Sequence, residues 1–160
     1  MHVLSRDAKG KLTFTSDSLK ENLSVFLENY RLITDAIDIV DGKIINIGLR
    51  YRVSCSPKFN TSIVAQSINF KLQDYFDIRN FQIDQPIMLS ELQNIILNTA
   101  GVVSMLAMDV DNLTGTVGAN SYSNESYDPY RYKDRGILYP PPGSMFEIKY
   151  PDDDIKGKVE

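Results

Sequence analysis

Apolar residues recur along the chain with two different periods, and the switches between them predict the elements. Leu19, Leu23, Phe26, Leu27 and Tyr30 fall at the spacing of one helical face, behind Ser18 and Glu21 at the spacing of a capping box. A helix over about 18–30 follows. Its polar positions Lys20, Asn22, Ser24 and Glu28 fall mainly on the other side, so the helix is expected to lie on a core. The period then changes. Ala36, Ile37, Ile39 and Val40 form a short β-prone run, Asp41-Gly42 is a hairpin turn signal, and Ile44 to Ser54 forms a longer run. In that run Ile45, Ile47, Leu49, Tyr51 and Val53 alternate with Asn46, Gly48, Arg50, Arg52 and Ser54. One face of the strand is expected to meet the core and the other water or a partner.

Ser56-Pro57-Lys58-Phe59-Asn60 breaks the strand, and Asn60 or Thr61 caps a predicted helix with Val64, Ile68, Leu72, Tyr75 and Phe76 on one face. Phe81 and Ile83 suggest extended chain leading to Pro86, which favours a strand start or edge. Ser90 then reads as the N-cap of a helix bearing Leu92, Ile95 and Ile96. Gly101 fits the left-handed position that ends it, and Val102 to Val110 is the last core strand. The order is helix, hairpin, helix, short strand, helix, strand. That predicts an α+β fold, with a small mixed or antiparallel sheet and amphipathic helices on one face.

Beyond Leu113 the composition shifts. Residues 114–135 are rich in Gly, Ser, Asn and Tyr with little aliphatic periodicity, which reads as a long mobile or partner-ordered loop. Pro140-Pro141-Pro142 favours polyproline geometry, Met145 to Tyr150 forms a late strand with Phe146 and Ile148 facing one way, and Asp152-Asp153-Asp154 with the closing Lys-Gly-Lys reads as a solvated tail. The expected organisation is a lead-in at 1–17, an α+β core at 18–113 and a Tyr/Pro-rich, largely irregular C-terminal extension at 114–160. Large amphipathic rings are common at interfaces. Tyr122, Tyr127, Tyr130, Tyr132 and Tyr139, with Arg50 and Arg52 on the polar strand face, are therefore the candidate interface residues.

The chain of 160 residues is 42% hydrophobic, enough for one ordinary core. With 17 basic and 21 acidic residues its formal charge is -4, so electrostatics give no reason to expect a nucleic-acid backbone as the main ligand. Arg50-Tyr51-Arg52 with Lys58 is the small basic-aromatic exception, and it keeps open an RNA- or ligand-binding module as the alternative function. One cysteine, Cys55, excludes an internal disulfide and a cysteine-clustered zinc site. No apolar run has the length of a membrane span, and residues 1–7 lack the apolar centre of a signal peptide. His2, the single histidine, sits at a terminus expected to fray, and no Ser-His-Asp or Cys-His arrangement is visible. Asp109-Val110-Asp111-Asn112-Leu113 has the start of a calcium-loop spacing, but Leu113 stands where an oxygen ligand is wanted. Catalytic, cofactor-binding and metal-binding residues are accordingly all expected to be none.

The runs Lys11 to Leu23, Leu27-Glu28-Asn29-Tyr30-Arg31 and Thr34 to Gly48 resemble the C-terminal region of the baseplate wedge proteins of T4-like contractile-tailed phages, in the baseplate J-like family. Ile87 to Leu92 followed by Ala100-Gly101-Val102-Val103-Ser104-Met105 resembles that family's recurrent helix and strand entry, and Gly136 to Pro142 resembles the end of such proteins. The resemblance implies a non-enzymatic structural role in the virion tail baseplate. It further implies contacts with copies of the same chain and with other wedge proteins. Since such proteins are usually several times longer, it also implies a C-terminal fragment or a short relative.

Overall fold

The structure is a computed structural model, and it describes residues 1–30 and 37–160. In chain order the elements are β1 (His2–Val3), β2 (Ser5–Arg6), β3 (Leu12–Thr13), α1 (Asp17–Glu28), β4 (Val40–Asp41), β5 (Lys43–Cys55), α2 (Thr61–Tyr75), β6 (Ile87–Met88) and α3 (Leu89–Leu97). They continue with β7 (Val102–Asn112), β8 (Thr116–Val117), β9 (Asn120–Ser121), β10 (Lys133–Asp134), β11 (Ile137–Leu138), β12 (Ser144–Glu147), α4 (Pro151–Asp154) and β13 (Ile155–Val159). The fold is α+β, as the periodicities predict.

The 13-residue β5 is the axis of the sheet. β7 pairs with it antiparallel from Ile47↔Asn112 to Cys55↔Val102, β12 pairs parallel with Lys43 to Asn46, and β13 pairs parallel with Leu49 to Val53. The sheet is therefore mixed. Ile47, Leu49, Tyr51 and Val53 are buried together with Val64, Ile68 and Leu72 of α2 and with Leu92 and Ile96 of α3. The Tyr51 hydroxyl donates to Asn69 Oδ1 of α2 at 2.7 Å, and α3 packs on both α2 and β7. Helices α2 and α3 thus cover the face that the alternation marks as apolar.

Several expectations change. The helix near residue 18 is capped by Ser16, whose side chain accepts from the Leu19 N–H at 3.4 Å, rather than by Ser18. It buries no residue. The Asp41-Gly42 hairpin does not form, because β4 pairs parallel with β1 and not with β5. A tight hairpin turn of that sequence needs positive φ at both central residues, and neither Asp41 nor Gly42 has one. Gly42 is instead a close-packing position, where a Cβ would lie 2.8 Å from the Leu4 side chain. Ala36, at the start of the expected β-prone run, lies outside the described residues. Ser90 does not cap α3; the N-cap is Met88, without a side-chain bond, and the Leu89 N–H is satisfied across the fold by Gly136 O at 2.9 Å. Gly101 does adopt the left-handed conformation, φ +94°, and a Cβ there would sit 2.8 Å from Val64 and 2.9 Å from Phe59.

The C-terminal third is the largest correction. It is not an irregular extension, because β12 and β13 are ladder strands of the central sheet and all four residues of β12 are buried. Nor is the Asp-rich stretch a solvated tail. Asp154 is buried, accepting from the Tyr122 hydroxyl at 2.5 Å and from the Tyr150 N–H at 2.8 Å. His2 is likewise part of a strand, with its ring against Gly143.

Candidate interaction surface

Alternation along β5 sends Arg50 and Arg52 to the face opposite α2, as expected, and both are exposed. The register of the flanking strands decides what joins them. Lys156 and Lys158 of β13 stand beside Arg50 and Arg52, while Asp109 and Asp111 of β7 stand beside Arg50 and Gly48. The open face therefore carries cations along β5 and β13 and carboxylates along β7. Arg50 is held by Asp111 in a two-pronged pair, Nε to Oδ2 at 2.7 Å and a terminal nitrogen to Oδ1 at 2.8 Å. Lys158 is paired with Glu160 at 2.7 Å. An exposed single contact such as Lys158–Glu160 contributes little, whereas the two-pronged geometry fixes Arg50 on Asp111 more firmly.

Towards the start of β5 this face closes over. Gly48, without a side chain, floors a cleft of about 530 Å³ walled by Arg50, Asp111, Tyr122, Asp153 and Lys156. Beyond it, Asn46 is fully buried and acts as a polar hub, donating to Glu147 Oε2 at 2.8 Å and accepting from the Ser123 N–H at 2.7 Å. Glu147 Oε1 accepts from the Leu12 N–H at 2.6 Å. One carboxylate thereby ties β12, β5 and β3 together. Burial pushes the Glu147 carboxyl above its ordinary range, and the same cause raises Asp154. Both acids accept from local protein donors, and these bonds tie the segments together.

The five tyrosines separate into two groups. Tyr122 and Tyr127 are buried, which removes them from the interface assigned from sequence. The Tyr127 ring packs in the core against Phe146 and the Tyr122 ring edge-on against Tyr150, and their hydroxyls find internal acceptors: Tyr122 donates to Asp154, and Tyr127 donates to Tyr139 O at 3.1 Å. Burial pushes both phenols up to about 12. Tyr132 stacks on Tyr127 with ring centroids 5.3 Å apart while staying partly exposed. Tyr130 and Tyr139 are exposed, Tyr130 by 75%. Residues 114–135 are thus pinned by buried rings, and only Tyr130, Tyr132 and Tyr139 of the set reach the surface.

A larger apolar surface lies on α1. Leu19 is 52%, Phe26 57% and Val25 63% exposed, and the helix is fastened to the body by Lys20 Nζ on Asp41 Oδ2 at 2.7 Å. The sequence marks this face as apolar; it carries no sign that the face is uncovered. Lys156 and Lys158 were also missed as surface-forming strand residues, although Ile155, Gly157 and Val159 alternate with them at a strand's period.

Comparison with protein-family models and with curated proteins gives no match. Among the described residues no helix is long and apolar enough to cross a membrane, and no group of three or more His, Cys, Asp or Glu side chains is arranged to hold a metal ion.

Proposed function

We propose that this chain is a structural, non-enzymatic assembly module, a subunit or fragment of a contractile-tail baseplate wedge in the virion that associates with copies of itself and with other wedge proteins. The observation that carries the assembly reading is α1, a 12-residue amphipathic helix with no buried residue. An apolar helical face gains stability only when something covers it. The phage setting rests on the sequence resemblance across residues 11–113. The test is light scattering over a concentration series, with Phe26→Glu as the variant and circular dichroism to verify its fold. Association of the natural chain, weakened in the variant, supports the reading; a strict monomer at the highest soluble concentration overturns self-association.

The competing reading, a small RNA- or ligand-binding module, draws on the shared face of Arg50, Arg52, Lys156 and Lys158. Its weakness is charge balance. Asp109, Asp111 and Glu160 lie among these cations, so a phosphate backbone would meet carboxylates as well. Salt-sensitive RNA binding abolished by Arg52→Glu would favour that module over assembly.

A further inference from the structure

A groove of about 710 Å³ runs between the exposed sides of α2 and α3, within the size of small-ligand sites, about 300–1,000 Å³. Its walls follow from helical spacing. On α3, Glu91, Asn94, Ile95 and Asn98 stand three and four residues apart and share one face, while Leu92 and Ile96 turn to the core. On α2, Phe70, Lys71, Asp74 and Tyr75 form the facing wall, with Ile68 and Leu72 buried behind them. Asn80, Phe81 and Gln85, from the connection between the two helices, complete the lining.

The groove's one cation is already engaged, since Lys71 Nζ donates to Asn98 O at 3.3 Å and to Thr99 Oγ1 at 3.2 Å. The Tyr75 hydroxyl donates to Glu91 Oε2 at 2.8 Å, and Gln85 Oε1 accepts from the Gln82 N–H at 2.9 Å. Among the described residues the side chains of Asp74, Asn94 and Asn98 have no hydrogen-bond partner within the chain, and all three are exposed; the backbone carbonyls of Asp74 and Asn98 are the groups that accept, from Asn80 and Lys71. One lysine against Asp74 and Glu91 disfavours a phosphate or sulfate. The helices spend their backbone groups internally, so an extended peptide finds no ladder here. What remains is apolar ring surface ringed by amides and a carboxylate. The Phe70 ring is 72% exposed and also lines an adjoining hollow with Ile63, Gln66 and Ser67. A ligand with apolar C–H faces and many hydroxyls, each both donor and acceptor, matches that surface.

We infer that the groove between α2 and α3 binds the neutral sugar units of a glycan, with the Phe70 ring stacked on a sugar face and Asp74, Asn94 and Asn98 bonding its hydroxyls. A sugar site goes beyond the assembly reading and does not rest on it. The test is saturation-transfer difference NMR on the full chain with lactose, maltose, cellobiose and di-N-acetylchitobiose, each at millimolar concentration. At least one of these disaccharides should receive saturation. Phe70→Ala and Asn94→Ala should each weaken its Kd about tenfold, while Phe70→Tyr, which keeps a ring, and Arg52→Ala, on the opposite face of the sheet, leave it unchanged. Phe70 and Asn94 are both exposed, so the variants should fold, which circular dichroism verifies. Absence of saturation in every disaccharide overturns the site. So does saturation that survives Phe70→Ala and Asn94→Ala combined, or a Kd that Arg52→Ala weakens as much as they do.

Discussion

Helices α1 and α2 are written in the same code and meet opposite fates. Each begins behind a polar cap, Ser16 in one and Asn60 in the other, and each carries apolar residues at intervals of three and four. In α2 the stripe of Val64, Ile68 and Leu72 is buried against β5, and Tyr51 reaches up to Asn69. In α1 no residue is buried, and Leu23 and Leu27 are only partly so. Periodicity therefore reports which face of a helix needs covering, while the cover is supplied by whichever sheet face, helix or partner the chain brings there. A helix that folds with its stripe bare is where a neighbour is expected.

Truncating the covered stripe gives the largest effect: Ile68→Ala or Leu72→Ala should cost about 2–5 kcal/mol in denaturant-induced unfolding, because a fully buried side chain leaves a cavity under β5. A loss under about 1 kcal/mol would mean α2 is no better seated than α1. Next comes the floor on which α2 rests. A Cβ on Gly157 would lie 2.1 Å from the Tyr51 ring, so Gly157→Ala should destabilise by about 1–3 kcal/mol, and Tyr51→Leu in the same chain should recover part of it.

Alkaline titration sharpens the comparison further. Burial raises the Tyr51 phenol from 10.0 to about 12, with Tyr122 and Tyr127 raised similarly. In that window the unfolded chain loses these protons while the folded chain keeps them. The stabilisation is thus whole below pH 10 and lost as pH rises towards 12. Tyr51→Phe should flatten part of that fall at a cost of about 1 kcal/mol at neutral pH, from the lost bond to Asn69. An unfolding midpoint insensitive to pH across that window would show the rings to be less buried than the structure has them. The smallest effect belongs to α1. Phe26→Ser should change the stability of the dilute chain by no more than about 0.5 kcal/mol, since an exposed ring has no cavity to leave. A larger loss in dilute solution would place Phe26 under a cover within the chain.

Much of the fold was legible wherever one pattern had one meaning. The alternation of Leu49, Tyr51 and Val53 with Arg50 and Arg52 gave both faces of β5 correctly, and Asn60 with Val64, Ile68 and Leu72 gave α2 its start and its buried side. The pattern failed where both faces are covered. Ile44 and Asn46 are as buried as Ile45 and Ile47, because β3 and the chain around Ser123 close over the second face. It failed again where polar residues serve the interior, since Glu147 and Asp154 are buried with their oxygens bonded, and a carboxylate by itself reads as surface. Of the candidate interface tyrosines, sequence could not separate Tyr122 and Tyr127 from Tyr130 and Tyr139. A tyrosine is equally suited to both places, and the choice depends on whether a buried acceptor such as Asp154 is brought within reach.

By itself the sequence determined what is local: the α+β class, the helical stripes, the faces of the regular part of β5, and the left-handed turn at Gly101. These follow from steric and hydrophobic periods that span only a few residues. The tertiary structure alone decided what is distant. It chose β1 rather than β5 as the partner of β4, drew residues 144–147 and 155–159 into the central sheet, buried two acids and two tyrosines, and left α1 bare. Each of those outcomes joins segments separated by tens of residues, where no local period carries the information.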